Sequence, residues 1–359
     1  MAFAPAVWLA VQEELCGDNS SETKPENYFD DFEDEELFQM FHLTRPCINF
    51  ITDYVSHQMT KIHDTKQTSH SPCGMVMTAL DYYANGIVST TVQNKVGLNP
   101  LETPEVIYIV SKVLSGMVSD FVTFPRTRDS RANVANDIKN FCGMPNVLGV
   151  VACLHARVRP AHLQPELFRN TLGFLSVMIQ IICDCEGNIL SVEECCVGST
   201  PQQNIWNTSV IGSQFKRGVH GTNWIIAGSG YTLGCHLLTP VFPANSEPEK
   251  RFNSAHAKVL RMMQETITSL KKRFLCLKFF GYAQQDALDK KGDVMNACCV
   301  LHNIAKKFSV PSVVEPGENL ETMHPGAQFR DLSAELPLEM AKARDDIIAG
   351  YFSVSGATV

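Results

Sequence analysis

Cations, thiols and histidines are the residues whose types and spacing could do chemistry in this sequence. Lys271-Lys272-Arg273 is the densest basic cluster. It fits the outer face of a helix, a phosphate contact or a weak nuclear-import signal. Arg157, Arg159 and Arg169 form a second basic set that could meet nucleic acid. Arg126, Arg128 and Arg131 are interrupted by Asp129 and read as a solvated loop. The 13 cysteines are odd in number and include the adjacent pairs Cys195-Cys196 and Cys298-Cys299, so they read as reduced core thiols. Cys183 and Cys185 have no second pair at zinc spacing, so no metal is expected there. His256 and His302 read as hydrogen-bonded structural residues.

These residues need a scaffold, and the apolar pattern supplies one. Gly149-Val150-Val151-Ala152-Cys153-Leu154-His155 reads as a buried central strand. Phe174–Asp184 and Asn188–Cys196 form a hairpin around the turn Cys185-Glu186-Gly187, and Asn223–Gly228 is a fourth strand. A long helical pattern over Asn253–Phe274 follows, and Cys298–Ile304 is an apolar helix packed on the sheet. The order predicts an α/β mixed sheet flanked by helices.

The N-terminal part reads differently. Ala2–Leu15 is a short amphipathic segment carrying Trp8, and the polar stretch Cys16–Asn27 is a linker. The acids of Asp30–Glu36 suit a helix N-terminus, with an acidic docking site as the sharper alternative. Helices are predicted over Phe50–Ile62, over Cys73–Tyr83 with a stop at Asn85-Gly86, over Ser89–Lys95, and from Leu101 to Val118. This is helix-turn-helix-like spacing. The third helix opens with Glu102 and Glu105 and has only Lys112 as a base, so a fold-stabilising unit is favoured over base reading. A loop follows Phe308, and Leu336–Tyr351 is a helix whose Met340, Ile347 and Ile348 would dock on the body or a partner. The expected divisions are a flexible segment over 1–29, an all-helical domain over 30–140, a sheet domain over 141–308, and a loop with a C-terminal helix over 309–359.

With 359 residues, 45% hydrophobic, the chain can bury a large core. Its net charge of −8 opposes direct DNA binding, which draws on Lys and Arg displacing counterions. No apolar run reaches the ~18 residues of a membrane span.

Gly149-Val150-Val151, Trp224-Ile225-Ile226, Asn253-Ser254-Ala255-His256, Leu270-Lys271-Lys272-Arg273-Phe274 and Ala297-Cys298-Cys299-Val300-Leu301-His302-Asn303 resemble the PIF/Harbinger transposase family, including its domesticated members. The resemblance runs from about Phe32 to Phe352. It implies an RNase H-like fold of the DDE superfamily, in which three carboxylates from the first strand, the fourth strand and a following helix hold divalent metal ions. It also implies a DNA-binding region among the N-terminal helices and partners of the Myb-like DNA-binding kind.

The same resemblance locates what is missing. The family's two aspartates fall on Ala152 and Gly228 and its glutamate on Gln264, while an aspartate often carried after the third strand falls on Gln202. A methyl, a hydrogen and a neutral amide cannot hold hard cations. Glu265, Asp184, Glu193 and Glu194 are the acids that could replace the lost ligands, although Glu265 is turned by about 100° from Gln264 on a helix. The expectation is a nuclease-like pseudoenzyme of the nucleus or cytoplasm that binds protein partners and needs no cofactor. The alternative is an active nuclease using Mg²⁺ or Mn²⁺ on the displaced acids.

Overall fold

The computed structural model describes residues 27–62, 70–159, 165–228, 230–234, 236–280, 288–313 and 338–353. The expected central strand is the middle of β1 (Val147–Val158), buried without interruption from Val147 to Val151. Gly149 is required there, because a Cβ would sit 2.9 Å from the Cys183 carbonyl oxygen and 2.7 Å from Ile182 Cγ2. Strand β2 (Ser176–Cys183) pairs with β1 antiparallel, from Val150 beside Cys183 to Arg157 beside Ser176. The hairpin returns as β3 (Ile189–Val192), and β4 (Cys196–Val197) resumes pairing against the start of β2. On the other side of β1 lies β5 (Trp224–Ala227), parallel to it, followed by β6 (Leu237–Leu238). β7 (Phe279–Phe280) pairs parallel with the far end of β1. The mixed sheet has the order β3-β2-β1-β5-β6. The three two-residue strands escape prediction because they are too short to show a period.

Side-chain alternation along β1, shifted by an irregularity between Val147 and Gly149, assigns two cores. Val150, Leu154 and Ala156 join a large apolar cluster, whereas Leu148 and Val151 join a smaller one. The helices preceding the sheet are α1 (Asp34–Phe41), α2 (Arg45–Ile62), α3 (Pro72–Asn85), α4 (Thr90–Val96), α5 (Thr103–Gly116), α6 (Val118–Phe121) and α7 (Arg128–Cys142). The acidic stretch is a helix start, with Glu33 and Glu36 forming a capping box on α1. Gly86 and Gly97 close α3 and α4 in the left-handed conformation, as their glycines predict. Arg128 and Arg131 do not lie in a loop: a Thr127–Ser130 capping box starts α7 there.

The smaller cluster receives α8 (Gln202–Thr208) and α9 (Val210–Lys216) through Trp206, Ile211 and Phe215. The large one receives α10 (Glu247–Arg273) and α11 (Leu288–Lys307). Helix α10 starts six residues before the apolar pattern does, because its Ser246–Glu249 capping box and Pro248 precede any buried residue. Helix α12 (Leu338–Phe352) rests on α10, with Ile347 and Ile348 in the core, while residues 2–26 and the Met340 side chain lie outside what is described. The same cluster runs from Phe29 through α3 and α5 to α11, so the N-terminal helices and the sheet share one apolar body.

Candidate functional site

Strands β1 and β5 carry Val150 beside Ile226 and Val151 beside Ala227. The residues that follow, Ala152 and Gly228, are therefore neighbours where β5 ends. Each is two positions beyond a residue of the large core, so both face α10. A Cβ on Gly228 would lie 3.9 Å from Leu260 Cδ2. Gln264 is one turn beyond Leu260 on the same helix face. All four residues are half-buried. Two strands and a helix thus bring Ala152, Gly228 and Gln264 to one place, and none supplies a carboxylate.

The neighbouring acids are engaged elsewhere or point elsewhere. Asp184 Oδ1 accepts from the backbone N–H groups of Glu186 at 3.0 Å and Asn188 at 2.9 Å, and its Oδ2 accepts from Asn188 Nδ2 at 2.7 Å. It is a turn-capping acid, and burial raises its carboxyl above the usual range. Val192 pairs with Ile181, which pairs with Ala152 on its other side, so these three share a face. Glu193 is the next residue and turns to the opposite face, where it accepts from the Val210 N–H at 3.3 Å at the start of α9. Burial raises its carboxyl too. Glu194 is exposed between β3 and β4, and Glu265 is exposed one step past Gln264. Among the described residues, no group of three or more His, Cys, Asp or Glu is placed to hold a metal ion.

The basic residues do not converge on this place either. Arg157 is five residues beyond Ala152 along β1, about 17 Å at strand rise, and on the opposite face. Its guanidinium stacks 4.0 Å from the Phe174 ring centre, and Arg159 lies 5.3 Å from that of Phe279. Arg169 is paired with Glu166 at 2.9 Å and donates to the Gly173 carbonyl at 2.9 Å. Arg273 corrects the reading of Lys271-Lys272-Arg273 as an outer face. It is 5% exposed and donates to the carbonyls of His42 and Pro311, while the His42 ring bonds the Arg273 carbonyl at 2.8 Å. A guanidinium presents five donors in a rigid planar fork and so reaches carbonyls on separate segments from one buried position, where a lysine offers three donors from a single nitrogen. Lys271 and Lys272 are half-buried, and Lys271 contributes to keeping the His155 ring neutral, its pKa lowered to about 4 chiefly by burial.

His256 and His302 are hydrogen-bonded structural residues, as expected, and each works beside an asparagine whose role sequence reading missed. Asn253 accepts from the Val241 N–H at 2.9 Å and donates to its carbonyl at 2.8 Å, and His256 Nε2 donates to the Leu238 carbonyl at 3.1 Å. Asn303 does the same to Ile189, at 2.9 and 2.7 Å, and His302 Nε2 donates to the Gly187 carbonyl at 3.0 Å. Each asparagine amide copies a missing strand, so β3 on one side and the segment just past β6 on the other are held by a helix. Burial lowers both histidines to about 4, which keeps them neutral. The signal was an Asn and a His at helical spacing, Asn253-x-x-His256, and adjacent, His302-Asn303.

The thiols follow the sequence reading. All 11 described cysteines are free, and burial raises most of them, Cys153, Cys195 and Cys299 to about 12. Among the described residues no helix is long and apolar enough to cross a membrane.

Comparison with known proteins places this geometry. Residues 151–303 match the family model described as DDE superfamily endonuclease. The protein named "Putative nuclease HARBI1" from Homo sapiens is 26% identical over 324 residues, covering 90% of this chain and 92% of the relative. Its counterpart from Xenopus laevis is 27% identical over 325 residues, with the same coverage. No solved structure matches the chain. The matched span opens on β1 one residue before Ala152 and closes on Asn303, the residue that clips β3. The chain is thus similar over most of its length to the Harbinger transposase-derived proteins, and its sheet-bearing part matches the DDE superfamily endonuclease family.

Proposed function

We propose that this chain is a domesticated transposase-derived protein whose nuclease fold serves as a binding module and performs no phosphodiester chemistry of its own. The observation that carries the reading is the meeting of Ala152, Gly228 and Gln264 beneath α10 without an anionic oxygen among them. A two-metal site needs such oxygens to hold cations about 3.5–4 Å apart. Replacing clustered carboxylates by neutral groups also removes their mutual repulsion, which leaves the scaffold at no disadvantage in stability. No cofactor is part of this reading. Its partners are proteins, of the Myb-like DNA-binding kind that the resemblance implies, which would bring it to DNA indirectly. It would act in the nucleus, the cytoplasm or both.

The rival reading is a Mg²⁺- or Mn²⁺-dependent nuclease using Glu265 with Asp184, and one observation favours it: both line the same cavity. Against it, both Asp184 oxygens already accept hydrogen bonds from the hairpin turn. The test is cleavage of labelled single- and double-stranded DNA by the purified chain with either metal, beside a variant carrying Ala152→Asp, Gly228→Asp and Gln264→Glu. An inert natural chain and a cutting variant support the proposal. Cleavage by the natural chain that is abolished by Glu265→Ala overturns it.

A further inference from the structure

A groove of about 1580 Å³ opens beside the β2–β3 turn, between α2, α10 and the C-terminal end of α11. That is larger than the roughly 300–1,000 Å³ of a small-molecule site. It has room for a peptide segment.

Its lining combines rings with unpaired acids. Phe50, Phe121, Phe141 and Phe308 are half-buried in it, and Phe50 stacks on Phe121 and Phe308 with ring centres 5.9 and 5.3 Å away. Acids outnumber cations among the lining residues, five to three. The cations are already committed: Arg273 to the His42 and Pro311 carbonyls, Lys306 to the Glu186 carbonyl at 2.7 Å, and Lys307 over the rings of Phe50 and Phe121. The acids are not neutralised in return. Among the described residues, Asp53, Asp120 and Glu265 form no ion pair, and Asp120 accepts only from the Tyr54 and Ser119 hydroxyls. Burial already raises the Asp53 carboxyl, a cost that an incoming cation would relieve.

We propose that this groove docks a basic amphipathic segment of a protein partner, with apolar side chains on the four phenylalanines and Lys or Arg against Asp53, Asp120 and Glu265. The inference deepens the protein-partner reading by giving the partner a place and a chemistry. Nucleic acid does not fit, because phosphates would face carboxylates. An apolar or acidic segment would leave those carboxylates desolvated without a counter-charge.

The test is fluorescence anisotropy of the full chain with a labelled Lys/Leu amphipathic peptide of about 18 residues, about 27 Å long as a helix. It is run in about 150 mM salt so that long-range attraction is screened, and with chelator so that no metal chemistry enters. A Glu/Leu peptide of the same pattern and a Lys/Gly/Ser peptide of the same charge serve as comparisons. The Lys/Leu peptide is expected to bind, and Asp53→Asn, Asp120→Asn and Glu265→Gln together should weaken it about tenfold. Removing the same charge elsewhere, with Glu35→Gln, Asp289→Asn and Asp346→Asn, should change binding less than about twofold. Glu265→Lys alone, at an exposed position, gives the same direction if the triple variant misfolds. The inference is overturned if the Lys/Leu peptide fails to bind, if both triple variants weaken it equally, or if either comparison peptide binds as tightly. Binding without cleavage chemistry in the assay keeps this result separate from the nuclease test. A failure here leaves the protein-partner reading to other surfaces.

Discussion

Asn253 and His256 hold the β6 side of the sheet through three hydrogen bonds, whereas Gln264, two to three turns further along the same helix, faces two strand positions with no charge between them. Both ends of that contrast lie in the span that matches the DDE superfamily endonuclease family. The residues that carry the resemblance most visibly, Asn253, His256, His302 and Asn303, are there to close a sheet. Resemblance of this kind reports a scaffold. Chemistry has to be read separately, at the positions where a hard cation would need oxygen.

If the clips carry the fold, acid should weaken it most. His256 and His302 fall from 6.5 in the unfolded chain to about 4 in the fold because burial disfavours the charged ring. Their contribution is therefore complete above pH 6.5. As pH falls towards 4 the unfolded chain takes up protons that the folded rings refuse, so stability is lost across that window and the loss levels off below it. Each ring accounts for up to about 3 kcal/mol by linkage. Asp53, Asp184 and Glu193, raised by burial, act with the opposite sign at the acid end and soften the loss. Thermal melting over a pH series checks this, and a melting temperature unchanged between pH 7 and 5 would break the account of the clips.

A second comparison sets Asn303→Ala against Gln264→Ala. The first leaves the Ile189 N–H and the carbonyls of Ile189 and Phe121 without their partner, at about 1–3 kcal/mol per buried group, so a total near 3 kcal/mol is expected in urea unfolding. The second should stay within about 1 kcal/mol. Equal losses would mean that Gln264 also has a structural role. Within one basic cluster, Arg273→Ala should cost about 2–3 kcal/mol through its abandoned carbonyls, while Lys272→Ala stays within about 0.5 kcal/mol. Gly228→Asp should also have a small effect. Among the described residues its Cβ meets only Leu260, at 3.9 Å, so melting should shift by the equivalent of less than about 0.5 kcal/mol.

The sheet was legible because β1, β2, β3 and β5 are apolar runs with turn residues between them; a helix start was legible through Glu33, and helix ends through Gly86 and Gly97. The meaning of Ala152, Gly228 and Gln264 was legible only through the resemblance, since no local pattern marks an alanine as a position where a family carries an acid. Arg273 misled because a basic run carries no sign of which member turns inward, and that is decided by carbonyls 231 and 38 residues away. Glu193 misled in a similar way. Its face depends on the register of β3 against β2, which the Glu193-Glu194 dipeptide does not reveal. Asp53 and Asp120 gave no signal, because the groove they share is assembled from elements distant in sequence.

The most direct test of the central claim is Mn²⁺ binding followed by electron paramagnetic resonance, for the natural chain and for the Ala152→Asp, Gly228→Asp, Gln264→Glu variant at equal concentration. The natural chain should leave a free-ion spectrum and the variant should remove the free-ion signal, because only the variant brings three carboxylates together under α10. Specific Mn²⁺ binding by the natural chain that disappears with Glu265→Ala would contradict it, and would mean that a displaced acid has taken over the metal.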